Sequence, residues 1–435
     1  VDERLKMGLR LCWKAAGTLL GHLGWSKLGL VVFGDGSILS SKSALIPPEA
    51  LLLALALRAR GLGMNAILML NARREHELNL AREEGLAFLR EVAGGPEPLY
   101  FGALTEGPLS SLDRVKLSLD WLSANPGTLA KLVEDATPLK RKIKEVDVSS
   151  LEALSDFLMD KLGPPSFKED LTTRVKGADK YQAAADALST LAAFVTPTSL
   201  ISVGLRYAAK FFSLVRQRRK EEYRVFLNVW KKNVQEAYST EALSAIVCEG
   251  DGLGALRDSV EHYGLGVVVH DVIGTLHELF LPMLISYVAI ELGGQGSLLI
   301  VDGASYLAKL GWAASMLVSL QDEAPGTRLA CYLPTGNIPE YEALPSMFYA
   351  LTSERAGIFD MAPKFVDILC ENRSAAFRAA LLRSLEVAAK ERLSGHLAFA
   401  IYDVREAPFL KLVKVKPGLL ARIKGKLKRF SQGGT

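Results

Sequence analysis

The chain is poor in cysteine, in side-chain amides, in net charge and in long apolar runs, and each shortage excludes something. Its four cysteines, Cys12, Cys248, Cys331 and Cys370, are widely spaced and form no CxxC pair. Zinc sites draw on closely spaced ligand pairs, so the spacing reads as reduced thiols in a cytoplasmic protein without a secretory leader. Six glutamines and eight asparagines in 435 residues are a thin supply of thermolabile amides, which points to a thermophilic source. The net charge of +4 is small for this length, so any nucleic-acid surface has to be local. The best candidate for a membrane span, Ala187–Leu205, contains Thr190, Thr196, Pro197, Thr198, Ser199 and Ser202 between Asp186 and Arg206. A helix pair turning at Pro197 is expected there, and no stable transmembrane segment.

What is present is globular composition, 49% apolar and 23% charged, in a chain long enough for two or three domains. An opening helical run to about Leu23 precedes the strand-like LGLVVFG (28–34), a Gly/Ser-rich loop over Asp35–Ser43, and Pro47-Pro48. Proline suits the first position of a helix, so Glu49–Arg60 reads as a helix ended by Gly61 or Gly63. AILMLN (66–71), a helix over 75–93 and LYFGAL (99–104) complete a strand–helix alternation suited to parallel pairing. From Pro108 to about Ala245 strand signals fade and helical periodicity takes over, with breaks at Asn125-Pro126-Gly127, Gly163-Pro164-Pro165 and Pro197. Alternation then resumes: GVVVHDV (266–272), a helix over Leu276–Leu292, Leu298–Val301, RLACYL (328–333), FVDILC (365–370), a helix over Ala375–Arg392, and the pair HLAFAIYDV (396–404) and FLKLVKV (409–415). The fold class expected is α/β, a mainly parallel sheet flanked by helices and split by an inserted all-helical domain. The boundaries are 1–105 for the first part of the core, 106–245 for the helical insertion, 246–416 for the second part and 417–435 for a basic tail.

The run SLLIVDGASYLAK (297–309) carries the most chemistry. Four apolar residues read as a strand buried on both faces, and Asp302 falls at its carboxyl end, where open α/β sheets hold their ligands. P-loop NTPases place a Mg²⁺-binding aspartate at such a strand end. The earlier run Gly36-Ser37-Ile38-Leu39-Ser40-Ser41-Lys42-Ser43 keeps the spacing, lysine and hydroxyl of the phosphate-cradling G-x-x-x-x-G-K-[ST], with Ser41 in place of the second glycine. Pro47-Pro48 would also delay the helix whose N-terminus receives phosphate.

Taken in order, VVFGDGSILSSKSAL with its helix and AILMLN, then GVVVHDVIGTLHELF leading to GSLLIVDGASYLA, then LACYLPTGNIPE, resemble the HerA/FtsK-like family of hexameric DNA-translocating ATPases. HLAFAIYDVREAPFLKLVKV is similar to the family's C-terminal hairpin, and FVDILCENRSAAFRAALLRSL to its closing strand and helix. The resemblance covers residues 28–71 and 264–416 and implies a P-loop NTPase-like fold. It implies ATP and Mg²⁺ as cofactors, with Gly36, Ser41, Lys42 and Ser43 at the nucleotide and Ser43 and Asp302 at the metal. DNA is the implied substrate, handled in a homo- or hetero-oligomer of ATPase-like subunits. Its departures fall on the chemistry: Gly303 stands at the water-activating glutamate, Ser305 at the family's histidine, and Tyr332, after Cys331, at the catalytic glutamine. The implied subunit binds nucleotide at most, hydrolyses it weakly or not at all, and serves a DNA-processing or DNA-transfer assembly.

Two alternatives stand beside it. An active enzyme is one, either an ATPase with displaced catalytic residues or a two-metal nuclease built on Asp35, Asp302 and the strand-end pair His270-Asp271. The DGS of Asp35-Gly36-Ser37 is similar to the first acidic motif of NurA-type nucleases. A scaffold that keeps the fold and binds no nucleotide is the other. His277-Glu278 has no second histidine one turn on and makes no zinc motif. The basic runs Lys140–Lys144 and Arg216–Lys220 read as solvated helix faces. After Glu406 the chain is basic without acids, and Lys411, Lys414, Arg422, Lys424, Lys426, Lys428 and Arg429 are candidate contacts to DNA, an anionic surface or a neighbouring subunit.

Overall fold

Apolar runs too continuous for a strand with one wet face are accommodated by a sheet covered on both sides. The computed structural model describes residues 3–23, 31–34, 39–41, 44–46, 48–72, 80–137, 142–164, 178–193, 200–217, 220–270, 275–293, 296–302, 316, 319–320, 323–334, 355–361, 363–371, 373–393, 396–403 and 409–415. The first part of the chain forms α1 (Glu3–Leu23), β1 (Val31–Gly34), β2 (Leu39–Ser41), β3 (Ala44–Ile46), α2 (Pro48–Gly61), β4 (Ala66–Asn71), α3 (Glu83–Ala93) and β5 (Leu99–Phe101). Then come β6 (Leu117–Ser118), α4 (Leu119–Ala124), α5 (Pro126–Ala136), α6 (Leu151–Leu162), α7 (Ala178–Ala193), α8 (Leu200–Gln217), α9 (Lys220–Ala237), α10 (Thr240–Ser244) and β7 (Val247–Cys248). The last part forms α11 (Gly254–Tyr263), β8 (Leu265–His270), α12 (Thr275–Leu292), β9 (Ser297–Asp302), β10 (Thr327–Pro334), β11 (Arg355–Ile358), α13 (Pro363–Cys370), α14 (Ala375–Leu393), β12 (Leu397–Asp403) and β13 (Phe409–Val415).

A nine-stranded sheet runs in the order β13-β12-β11-β1-β10-β9-β4-β8-β5. All pairs from β11 to β5 are parallel, and β12 and β13 add an antiparallel edge. Every residue of β4, β8 and β9 is buried, which is why those sequences run apolar without alternating. With its flanking helices this is the mainly parallel α/β sheet expected. One face packs against α1 and α2 through Leu68, Val267, Ile300 and Ala330. The other, through Met69, Val268, Leu299 and Val301, belongs to a cluster shared with α12, with α4 to α6 and with α8 to α10. α2 is apolar on nearly every side, Leu51 to Ala56 all being buried, because α1 covers it from outside while the sheet lies beneath.

The helical stretch leaves and rejoins the core at one place. β6 pairs in parallel with β7, Leu117↔Val247 and Ser118↔Cys248, and Lys116 Nζ donates to the Ser244 carbonyl at 2.7 Å. Ser118, Ser150 and Ser239 cap α4, α6 and α10 by accepting from the N–H groups of Trp121, Ala153 and Ala242. α7 and α8 are separate helices packed on each other, so Ala187–Leu205 is divided between two helices; residues 194–199, with Pro197, lie outside the described residues. Among the described residues no helix is long and apolar enough to cross a membrane.

Two expected elements differ. FVDILC, read as a strand, lies in α13; Val366, Leu369 and Cys370 are buried while Asp367 is exposed, a helical spacing, and Pro363 opens the helix. The strand beside β1 is Arg355–Ile358 instead. A short apolar run does not by its pattern distinguish a strand from a buried helix. The helix expected over 75–93 starts at Glu83, after a turn at 80–82, and 73–79 lie outside the described residues.

Gly266 in β8 is a point of close approach. A Cβ there would run into the Leu256 side chain of α11 and come within 3.0 Å of Val260 Cγ2. We expect Gly266→Ala to push α11 off the sheet and cost about 1–3 kcal/mol, read as a lower urea midpoint. An unchanged midpoint would mean that Leu256 simply turns aside.

Candidate functional site

The connections of a parallel sheet mark where a ligand can enter. From β1 the chain passes through α2 to β4 on one side, whereas β10 is followed by β11 on the opposite side of β1. The carboxyl ends of β1 and β10 therefore flank a topological switch point, the place where open α/β sheets leave a crevice. Gly34, Pro334, Asp302, Asn71 and His270 end the strands along this rim.

Side-chain direction alternates along a strand, and this sorts the rim residues by face. Leu298 and Ile300 belong to the cluster under α1 and α2, so Asp302 points to that face. Its register partner on β10 is Tyr332, a member of the same cluster and fully buried. Asp302 is only 1% exposed, and its Oδ2 accepts the backbone N–H of Asn71 at 3.1 Å. The carboxylate thus ties the ends of β9 and β4 together across the rim. Glu49, in the first turn of α2, is buried as well.

These groups fit the two halves of a Mg²⁺–nucleotide site unequally. A carboxylate at the end of β9 is the donor a divalent cation takes. The phosphate half fits less well. α2 begins only at Pro48, and Ser41 sits in a hairpin, paired antiparallel with Ala44. Pro48 lacks an N–H, and the Glu49 carboxylate occupies the first turn, whose partial positive charge would otherwise receive an anion. Gly36, Lys42 and Ser43, with Asp35 and Ser37, lie outside the described residues, as do Asp271, Gly303 and Ser305.

His270 ends β8 opposite Asn71 and is completely buried. By alternation from Val268 it lies on the face of the helical layer, away from Asp302, so the structure does not bring the two to one face. Among the described residues no group of three His, Cys, Asp or Glu is placed to hold a metal. Burial pushes the Cys12 and Cys331 thiols up to about 12, which makes them inert packing groups. Lys411 and Lys414 lie in the edge strand β13, opposite Ile401 and Ala398. Arg422, Lys424, Lys426, Lys428 and Arg429 fall outside the described residues, and so do Lys140 and Arg141.

Glu49 and Asn71 escaped the sequence reading. Pro-Pro-Glu at a helix start was visible, but an exposed capping carboxylate and a buried one share the same letters. Asn71 contributes its backbone N–H, which has no signature in sequence.

No family model matches the chain, and no curated protein matches it. Among solved structures it is similar to the bacterial conjugative coupling protein TrwBdeltaN70 in its unbound monoclinic form, at 13% identity and a TM-score of 0.39, covering 93% of this chain and 85% of that one. VirB4 of Thermoanaerobacter pseudethanolicus gives 13% identity and a TM-score of 0.40, covering 90% and 89%. The plasmid coupling protein TrwB in complex with ADP and Mg²⁺ gives 11% and 0.36, covering 94% and 85%.

Proposed function

We propose that this chain is a P-loop-ATPase-like subunit of a cytoplasmic DNA-processing or DNA-transfer assembly, binding nucleotide at most and hydrolysing it slowly or not at all. Asp302 carries the reading. It supplies a buried metal-type carboxylate at the rim of a P-loop NTPase-like sheet, with Tyr332 beside it on the next strand. A phenol in the place of the family's catalytic glutamine, and Gly303 in the place of its glutamate, leave an attacking water with no base. Loss of general-base assistance alone lowers a rate by roughly 10²–10⁴-fold. The order of motifs supports the DNA role, and the basic stretch after Glu406 supports contact with a polyanion. Gly36, Lys42 and Ser43 would face the phosphates, and Ser43 and Asp302 the Mg²⁺.

Thermal unfolding with ATP and Mg²⁺, together with a phosphate-release assay, tests this. At ligand a hundredfold above Kd, binding raises stability by about 2.7 kcal/mol, and Lys42→Ala should abolish that rise. Phosphate release should stay far below the roughly 1–10³ s⁻¹ of working enzymes. An unchanged unfolding temperature removes nucleotide from the reading and leaves a scaffold. Brisk ATP turnover lost in Asp302→Ala, or Mg²⁺-dependent DNA cleavage lost in it, would replace the subunit with an active enzyme.

A further inference from the structure

Between α7 and α8 lies an open groove of about 390 Å³, lined by Gln182, Ala185, Asp186 and Ser189 on one side and Arg206, Ala209, Lys210 and Ser213 on the other. Its volume is at the lower end of small-ligand pockets, roughly 300–1,000 Å³. Ala185 and Ala209 are buried and form its floor, because two alanines let the helices approach while longer side chains rise on either wall.

The walls differ in charge. Arg206 and Lys210 are exposed and one helical turn apart, and neither makes an ion pair among the described residues. Arg216, further along the same helix, donates to Gln182 Oε1 at 2.6 Å. The whole of α8, LISVGLRYAAKFFSLVRQ, contains no acidic residue. On the opposite wall the Gln182 amide donates to Asp186 Oδ1 at 2.6 Å. Asp186 repels phosphate and accepts from amino or hydroxyl groups, so an anion is directed to the α8 wall.

We infer that this groove binds a phosphodiester strand, with Arg206 and Lys210 on successive phosphates and Ser213 and Ser189 as neutral hydrogen-bonding partners. Cations spaced roughly 6 Å along a helix axis, with no acid between them, suit a ligand charged at every repeat. Arginine forks onto phosphate oxygens, whereas lysine acts as a point charge. The inference rests on the DNA-processing reading and assigns a surface to it, separate from the carboxyl rim of the sheet.

Fluorescence anisotropy of the full chain with a labelled single-stranded oligodeoxynucleotide, across a salt series, tests the assignment. The double variant Arg206→Ala/Lys210→Ala should bind roughly tenfold or more weakly. Its slope of log affinity against log salt should shrink by about 1.4, the share of two single-strand phosphate contacts. Alanine in exposed helical positions keeps the helix intact. The control Lys232→Ala/Lys390→Ala removes two exposed cations elsewhere and should change neither quantity. If the wild-type chain binds no oligonucleotide, the DNA reading and the groove fall together. Tight binding that the double variant leaves unchanged overturns the groove and spares the DNA reading. Displacement of the oligonucleotide by an equal charge of polyglutamate overturns nucleic acid in favour of an acidic polypeptide.

Discussion

Arg392→Met is expected to destabilise the fold by about 2–4 kcal/mol, the cost of leaving two buried carbonyls without the charged donor they share. Arg392 sits in the last turn of α14 and is 8% exposed. Its Nη1 donates to the Phe359 carbonyl and, at 3.3 Å, to that of Ala398. The two carbonyls belong to different segments, one just after β11 and the other within β12, so a single side chain pins the helix to both. Methionine keeps most of the apolar stem and loses every donor, leaving two buried carbonyls short of a partner. The Asp360 carboxylate is 3.6 Å from Nη2 and half exposed, so Asp360→Asn should cost no more than about 1 kcal/mol. Burial lowers the pKa of Arg392, with Asp360 opposing the shift, yet a guanidinium stays charged throughout the working pH range. Urea unfolding followed by circular dichroism measures both variants. A loss under about 1 kcal/mol for Arg392→Met would mean that water enters and takes over the carbonyls.

Asp302 separates structure from ligand binding in one position. Asp302→Ala strands the Asn71 N–H in a buried place and should cost about 1–3 kcal/mol for the missing acceptor, with a further loss for the space left behind. Asp302→Asn keeps an oxygen for that N–H and removes the charge, so its stability should stay within about 1 kcal/mol of the parent. If the carboxylate is a metal ligand, the asparagine variant nonetheless loses the stabilisation conferred by ATP and Mg²⁺. The two readouts therefore move apart: alanine loses stability and ligand response, asparagine the response alone. Full retention of the Mg²⁺–ATP response in Asp302→Asn would dismiss Asp302 as a ligand and leave it as the clasp between β9 and β4.

Much of the fold was legible because burial on both faces leaves a mark in sequence. AILMLN, GVVVH and SLLIVD read as inner strands because they are short and each comes soon after a glycine, and the antiparallel pair 397–403 and 409–415 followed from two adjacent runs of strand length. FVDILC failed for the converse reason, since six apolar-rich residues satisfy a helix face as readily as a strand. At the site, Asp302 was legible as a lone acid ending an apolar run. Its burial, its hydrogen bond to a main-chain N–H and the phenol beside it were not, because each depends on a residue far away in the chain.

By itself the sequence determined the alternation of strands and helices, the helical stretch between them, and the aspartate at a strand end. Those properties are local: they follow from periodicity, from proline and glycine, and from the need of apolar residues to leave water. The tertiary structure decided which face each rim residue takes and which polar groups are taken out of water. It set Tyr332 beside Asp302, turned His270 to the opposite face, and opened a groove with two cations on one wall between α7 and α8. Strand order and register, which no short window of sequence contains, make those choices, because a side chain's neighbours across a sheet are set by pairing and not by proximity along the chain.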